Sequence, residues 1–184
     1  MKVVLISGKA GHGKDTFAGY FKAYAESKGE RCLVTHYADL LKYVCKTFFG
    51  WNGEKDEAGR SLLQYVGTDV VRAKDPDMWV NFVAKILTLF PDKWDWVLVP
   101  DARFPNEISI MKSQFDCTHV RVVRNGLETA LTEEQQSHPS ETALDGEVPD
   151  YYVENFDGFP DLLRNAAETI YRHMTGGAIR DEKL

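Results

Sequence analysis

The chain has 184 residues, 43% of them hydrophobic, with ten Phe, eight Tyr and four Trp, enough for a sizeable core and against disorder. A net charge of −6 excludes a surface that coats polymeric nucleic acid, because phosphate backbones demand a broad excess of Lys and Arg, whereas small anionic ligands need only local positive charge. Cys32, Cys45 and Cys117 lack zinc spacing and read as thiols of a reducing compartment; with no leader pattern and no apolar stretch of about 18 residues, a cytoplasmic protein off the membrane is expected.

The apolar run Val3-Val4-Leu5-Ile6 predicts a strand, and Gly8-Lys9-Ala10-Gly11-His12-Gly13-Lys14-Asp15-Thr16 follows it directly. A glycine-rich turn between a strand and a helix aims several N–H groups, and the positive end of the helix, at one point, which makes a phosphate-binding loop. Gly8, Ala10, Gly11, His12, Gly13, Lys14, Asp15 and Thr16 are therefore assigned to ATP binding, with Lys14 as a mobile charge on the outer phosphates and His12 contributing its backbone. Asp15 stands where Ser or Thr usually holds Mg²⁺, so metal coordination there needs its own argument.

Apolar spacing then predicts a helix from Asp15 to Ser27, a short strand from Cys32 to Tyr37, and a helix from Asp39 to Phe49 with Leu40, Leu41, Val44, Cys45 and Phe48 on its apolar face. The loop Trp51 to Glu57 precedes a helix from Ser61 to Arg72 and another from Asp77 to Leu89, the latter facing inward through Trp79, Phe82, Val83, Ile86 and Leu87. Trp96-Val97-Leu98-Val99 reads as a strand covered on both faces, followed by a helix from Asn106 to Ser113 and a strand from His119 to Val123. Residues 126–150 are polar, weakly periodic and expected to be mobile, with a turn and helix start at His138-Pro139. Tyr151 to Val153 closes the strands, and Phe159 to Met174 is a helix with Leu162, Leu163, Ala166, Ile170 and Tyr171 inward, before a frayed tail over 175–184. Alternating strands and helices imply an α/β fold with a parallel sheet, right-handed crossovers and helices on both faces.

Ligands of such sheets sit beyond the C-terminal strand ends, and the residues there are unusually polar. They include Asp39 and Lys42, then Asp101, Arg103, Asn106 and Glu107, then Arg124 and Asn125, then Glu154 and Asn155. Asp101 suits an acidic residue that holds Mg²⁺ or its water shell, or else one that caps a helix or pairs with Arg103. Arg103 calls for an anion. Arg60 and Arg72 flank a helix bearing Gln64; either is a clamp for an acceptor monophosphate or a solvated charge, and Gln64 suits a base edge. Trp51, Tyr65 and Trp79 are candidates for base stacking or for the core. Arg124 would bring positive charge onto a transferring phosphoryl group as the segment over 124–150 closes.

Taken together, these motifs resemble the P-loop nucleoside monophosphate kinases, and most closely the deoxynucleoside monophosphate kinases typical of bacterial viruses. The matching text is Ile6 to Thr16, Tyr37-Ala38-Asp39-Leu40-Leu41-Lys42, Gly59-Arg60-Ser61-Leu62-Leu63-Gln64 with Gly67-Thr68-Asp69 and Arg72, Pro76 to Val80, Pro100-Asp101-Ala102-Arg103-Phe104-Pro105-Asn106-Glu107, and Ser140 to Leu144. The resemblance implies one three-layer domain over 1–184 with five parallel strands, a helical acceptor-binding insertion over 38–80 and a short lid over 124–150. It further implies ATP as phosphoryl donor, Mg²⁺ near Asp15 and Asp101, and a nucleoside monophosphate acceptor. Asp39, Lys42, Arg60, Gln64, Arg72, Asp101 and Arg103 are the acceptor-site candidates, and Lys14, Arg72, Arg103 and Arg124 the catalytic ones. The oligomer is expected to be a monomer or homodimer. Another P-loop small-molecule kinase, of dephospho-coenzyme A or phosphomevalonate type, and a nucleotide-binding regulatory or assembly protein that phosphorylates no acceptor stay open as readings.

Overall fold

Four consecutive apolar side chains between Lys2 and Ser7 suit a strand with no solvent on either face. In the computed structural model, which describes residues 1–126, 129 and 131–176, this run forms β1 (Lys2–Ser7), and Val3, Val4, Leu5 and Ile6 are fully buried. β1 lies at the centre of one sheet with β2 (Cys32–Val34), β3 (Trp96–Ala102), β4 (Asp116–Arg124) and β5 (Tyr151–Asn155) in the order β2-β3-β1-β4-β5. Every pairing is parallel, with Val3 opposite Val97 and Cys117, and Leu5 opposite Val99 and His119. All five strands therefore end at one edge. The α/β class and the five parallel strands are as expected.

Side chains alternate across the sheet, so each strand feeds two cores. Val4, Ile6, Leu98, Val120 and Val122 pack under α1 (Lys14–Ser27) and α8 (Pro160–Met174) through Phe17, Phe21, Leu163 and Ile170. Phe21, Trp96 and Tyr171 meet there at ring-centroid separations of 5.0 to 5.7 Å. Val3, Leu5, Val97 and Val99 pack on the other face against α2 (Ala38–Phe49), α4 (Met78–Leu89) and α5 (Pro105–Gln114). Burying each large apolar side chain contributes about 1.5–3 kcal/mol, which favours the two-faced arrangement over any one-sided one.

Several boundaries differ from the sequence expectations. β2 ends at Val34, because the chain turns after Thr35 to deliver the Tyr37 and Ala38 amides to the Asp101 carboxylate, at 3.0 and 2.9 Å. The helix expected from Ser61 to Arg72 begins earlier, as α3 (Glu57–Gln64) capped by Asp56, and widens into a π-helical segment over Tyr65–Arg72. Gly67 explains that local choice: a Cβ there would come within 2.7 Å of the Leu41 side chain, and the Gly67 carbonyl accepts from the Trp79 indole at 3.0 Å. Phe48, Phe82, Ile86 and Leu162, expected to face inward, are exposed, since only a narrow stripe of each helix reaches the sheet.

The segment expected to be mobile over 126–150 contains α6 (Glu133–Ser137) and α7 (Pro139–Thr142), with Gln135 and Leu144 buried. Thr132 and Gln135 cap α6 reciprocally, and the His138 ring accepts the Ser140 amide at the start of α7. Positions 127, 128 and 130 of that segment, and 177–184 of the tail expected to fray, lie outside the described residues.

One buried group gives the fold a pH dependence. His119 on β4 is fully buried, with Nε2 2.8 Å from the Ser7 hydroxyl, and burial pushes its imidazole down to about 4. A histidine held neutral in the folded state contributes stability that is fully present above the unfolded value of about 6.5 and lost as pH falls through 4. Urea unfolding of the wild type is expected to lose on the order of 2 kcal/mol from this group between those limits, a loss that His119→Gln lacks. Parallel pH curves for the two proteins would refute it.

Candidate functional site

The strand ends and the loop after β1 enclose a cleft of about 330 Å³. Gly8 and Gly13 make the loop possible. Both have positive φ (+143° and +95°), and a Cβ would strike the Val122 carbonyl at Gly8 and the Asn155 amide at Gly13. Ala10, Gly11, Lys14 and Asp15 line the cleft, whereas Gly8 and His12 line a smaller neighbouring cavity of about 170 Å³. Thr16 is exposed on α1, and neither it nor Gly13 lines either of these two cavities. The His12 ring turns onto β4, where Nδ1 accepts the Arg124 amide at 3.3 Å.

Lys14 is buried, and its ammonium donates to the carbonyls of Gly8 and Lys9 at 2.7 and 2.8 Å. Burial pushes its amino group down to about 8, and the nearby Arg103 charge adds to the effect while Glu141 opposes it. A lysine held this way in a loop of inward amides is a charge waiting for an anion.

An internal anion already sits against the loop. Glu141 on α7 accepts the Ala10 amide at 3.1 Å and forms an ion pair with Arg103, whose guanidinium also donates to the Ser140 carbonyl at 2.7 Å. The Glu141 side chain is only 6% exposed. The Arg103–Glu141 pair stands between the cleft and the smaller cavity, and both residues line each. Arg103 thus meets an anion, but Glu141 is the partner rather than Asp101 or Glu107. Glu107 instead accepts the backbone N–H groups of Arg103 and Phe104, at 2.6 and 3.1 Å.

The acceptor-side candidates divide into two groups. Lys42, Arg60, Gln64, Arg72, Asp101 and Arg103 line the cleft. Asp39 does not; its carboxylate holds the His36 amide and Lys42, each at 3.0 Å, and so positions the start of α2. Arg72 is no solvated surface charge. Its side chain is 10% exposed, pairs with the fully buried Glu107, and stacks 4.0 Å from the Phe104 ring. Gln64 donates toward the Gln135 carbonyl at 3.3 Å, and Gln135 reaches back to the Glu57 carbonyl and Ser61 hydroxyl at 3.1 Å, which fastens α6 to α3. Trp79 lines the cleft with its indole tied to Gly67, while Tyr65 is exposed and neither it nor Trp51 lines the cleft.

Arg124 lines neither cavity; its guanidinium pairs with Asp157 beyond β5 and reaches the Gly11 carbonyl of the loop at 3.5 Å.

The carboxylates proposed for a metal are each partly engaged. Asp101 accepts one hydrogen bond at each oxygen, from the Tyr37 and Ala38 amides at the start of α2, and Asp15 accepts from His36 Nε2 at 2.8 Å. That contact holds the Asp15 carboxyl below its usual range and the His36 imidazole above its own. Among the described residues no group of three or more His, Cys, Asp or Glu forms a metal cage. His36, Lys55, Glu141 and Tyr37 also line the cleft; none was assigned to the site from sequence, although Tyr37 and Glu141 stand in segments that carry the family resemblance. His36 follows a strand end, where the positional rule could have found it; Lys55 is a lone cation in an acidic loop; and Glu141 lies in a stretch that reads as an ordinary helix start.

No helix among the described residues is long and apolar enough to cross a membrane. No curated protein sequence matches the chain. Among solved structures, the APS kinase of Mycobacterium tuberculosis is similar in fold: a mutant form has 16% identity and a TM-score of 0.52 over 95% of this chain and 96% of that one. The same kinase in complex with AMPPNP and APS has 14% identity and a TM-score of 0.53, covering 95% and 97%. The sheet order and the loop after β1 are thus those of a P-loop kinase fold. The deoxynucleotide monophosphate kinase family matches residues 34–165, a stretch that starts beyond the phosphate loop and contains Arg60, Arg72, Arg103 and Glu141. Because that match owes nothing to the glycine-rich loop and spans well over half of the sequence, the chain belongs to the deoxynucleotide monophosphate kinase family.

Proposed function

We propose that this chain transfers the γ-phosphoryl group of ATP to a (deoxy)nucleoside 5′-monophosphate, yielding ADP and the nucleoside diphosphate. The observation that carries the reading is the Glu141 carboxylate, held by a loop amide and Arg103 beside Lys14. A site that takes a buried carboxylate in this way is built for a phosphate oxygen. The complex of the similar APS kinase with AMPPNP supports a nucleotide donor. A single domain, with the helices over 38–80 holding the acceptor and those over 133–142 acting as lid, follows from the same reading.

The acceptor phosphate is itself the nucleophile, so the site needs no strong base. Its task is to align two anions and neutralise the charge between them. Lys14 and the loop amides would hold the donor's outer phosphates, and Arg103 would exchange Glu141 for a phosphoryl oxygen. Arg72, fixed by Glu107 and Phe104, would orient the acceptor, with Lys42 and Arg60 near its phosphate. Gln64 and Trp79 would meet the base. Asp15 and Asp101 keep unused oxygen lone pairs at the cleft wall, which suits Mg²⁺ held largely by water and phosphate. When bound, that ion supplies charge neutralisation on the triphosphate. Closure of α6 and α7 would keep water from taking the phosphoryl group.

A coupled assay of ADP release across dAMP, dGMP, dCMP, dTMP and their ribose counterparts tests the assignment. Base-dependent diphosphate formation is expected, and Lys14→Ala is expected to lower it by about 10³-fold with the thermal midpoint nearly unchanged. Acceptor-independent ADP release, or a Lys14→Ala variant of undiminished turnover, would count against it. Glu141→Gln removes the competing charge from the loop; ATP affinity by calorimetry is expected to rise about tenfold, equivalent to about 1.4 kcal/mol. Unchanged or weaker binding would show that Glu141 does not compete with phosphate.

A further inference from the structure

Most cations around the cleft already have partners. Lys14 is held by loop carbonyls, Arg103 by Glu141, Arg72 by Glu107, Lys42 by Asp39, and Arg124 by Asp157 and the Gly11 carbonyl. Lys55 and Arg60 differ: among the described residues neither side chain has a hydrogen-bond or ion-pair partner, and both line the cleft.

The loop that carries Lys55 is tightly built. The Trp51 indole donates to the Glu54 carbonyl at 2.8 Å, the Glu54 amide donates to the Asn52 side chain at 2.8 Å, and Asp56 caps α3. Gly59 lets this loop lie directly on the first turn of α3, because a Cβ there would collide with the Glu54 carbonyl. The result is an exposed lysine at the cleft rim whose electrostatic neighbours come from both sides: Lys42 and Arg60 from the acceptor side, Asp15 and Arg103 from the donor side. Burial against the cleft wall, then the like charges of Lys42, Arg60 and Arg103, push its amino group below its ordinary value. Such a gathering of cations is unfavourable until an anion enters among them.

We propose that Lys55 is a catalytic residue whose ammonium spans the donor and acceptor phosphates and neutralises the charge of the transferring phosphoryl group. This rests on the nucleotide-kinase reading above. In that transfer an acceptor phosphate oxygen forms a bond to the γ-phosphorus as the bond from that phosphorus to the β–γ bridging oxygen breaks. The electron pair leaves with ADP, and no proton has to move, so Lys55 acts as a fixed charge throughout.

The test compares wild type, Lys55→Ala and Lys55→Arg with ATP, Mg²⁺ and the best acceptor of the panel, together with AMPPNP affinity and thermal midpoint. Lys55→Ala is expected to lower kcat about 100-fold with AMPPNP affinity and midpoint essentially retained, and Lys55→Arg to recover at least a tenth of wild-type kcat. If wild type is active and Lys55→Ala keeps its kcat within about threefold, or changes only the acceptor KM, the proposal fails while the kinase reading stands. A parallel loss of midpoint and AMPPNP affinity would show a structural role and overturn it as well. If wild type phosphorylates no nucleoside monophosphate, the reading fails and the proposal falls with it.

Discussion

The contact between Glu141 and the pair formed by Ala10 and Arg103 ties together the three parts of the molecule on which its chemistry depends. Ala10 belongs to the loop after the central strand, Arg103 to the end of the neighbouring strand, and Glu141 to a short helix nearly forty residues further on. Inward-facing amides and a guanidinium left unsatisfied at low exposure would be costly, and a carboxylate from the same chain offsets that cost. It also sets the terms on which any other anion enters. A phosphate would have to offer more than a carboxylate does, and a triphosphate with several oxygens would meet that requirement through the adjacent Lys14 and loop amides.

Charge pairing elsewhere in the cleft follows the same logic with a different outcome. Arg72 is deeply set and has Glu107 beneath it, a buried pair whose desolvation is offset only because Glu107 also accepts two backbone amides. That pair is a support for the cleft wall, well placed to fix geometry and poorly placed to move. Lys55, exposed at the rim, and Arg60 have no hydrogen-bond or ion-pair partner among the described residues. Paired charge at the base and unpartnered charge at the rim would suit a reaction whose difficulty is the repulsion between two anions.

Hydrogen bonds also join α6 to the helices that line the cleft. Gln135 holds α6 to α3, and Gln64 leans on the same contact, so a displacement of Glu141 is felt where the acceptor would bind. The π-helical segment just beyond, opened by the close approach of Gly67 to Leu41, places Arg72 at the cleft while leaving a carbonyl for Trp79. The loop after β1 and the α3 side of the cleft are thus connected through side chains that no single motif contains.

The amino-acid sequence by itself determined what depends on neighbours along the chain. The apolar run before Gly8 has to be a buried strand, the glycines after it have to permit a turn no Cβ allows, and alternating strands and helices lead to a parallel sheet whose ends converge. The family motifs around Arg60, Arg103 and Glu107 were legible for the same reason, as fixed spacings. Tertiary structure alone decided which charge meets which. Arg103 had nearer carboxylates in sequence and took Glu141, Arg124 paired with Asp157, and Lys55 arrived from a loop with no motif of its own. Ion pairing depends on distance in space and on local burial, quantities set by how the helices cross the sheet edge, and residue spacing along the chain carries no measure of either.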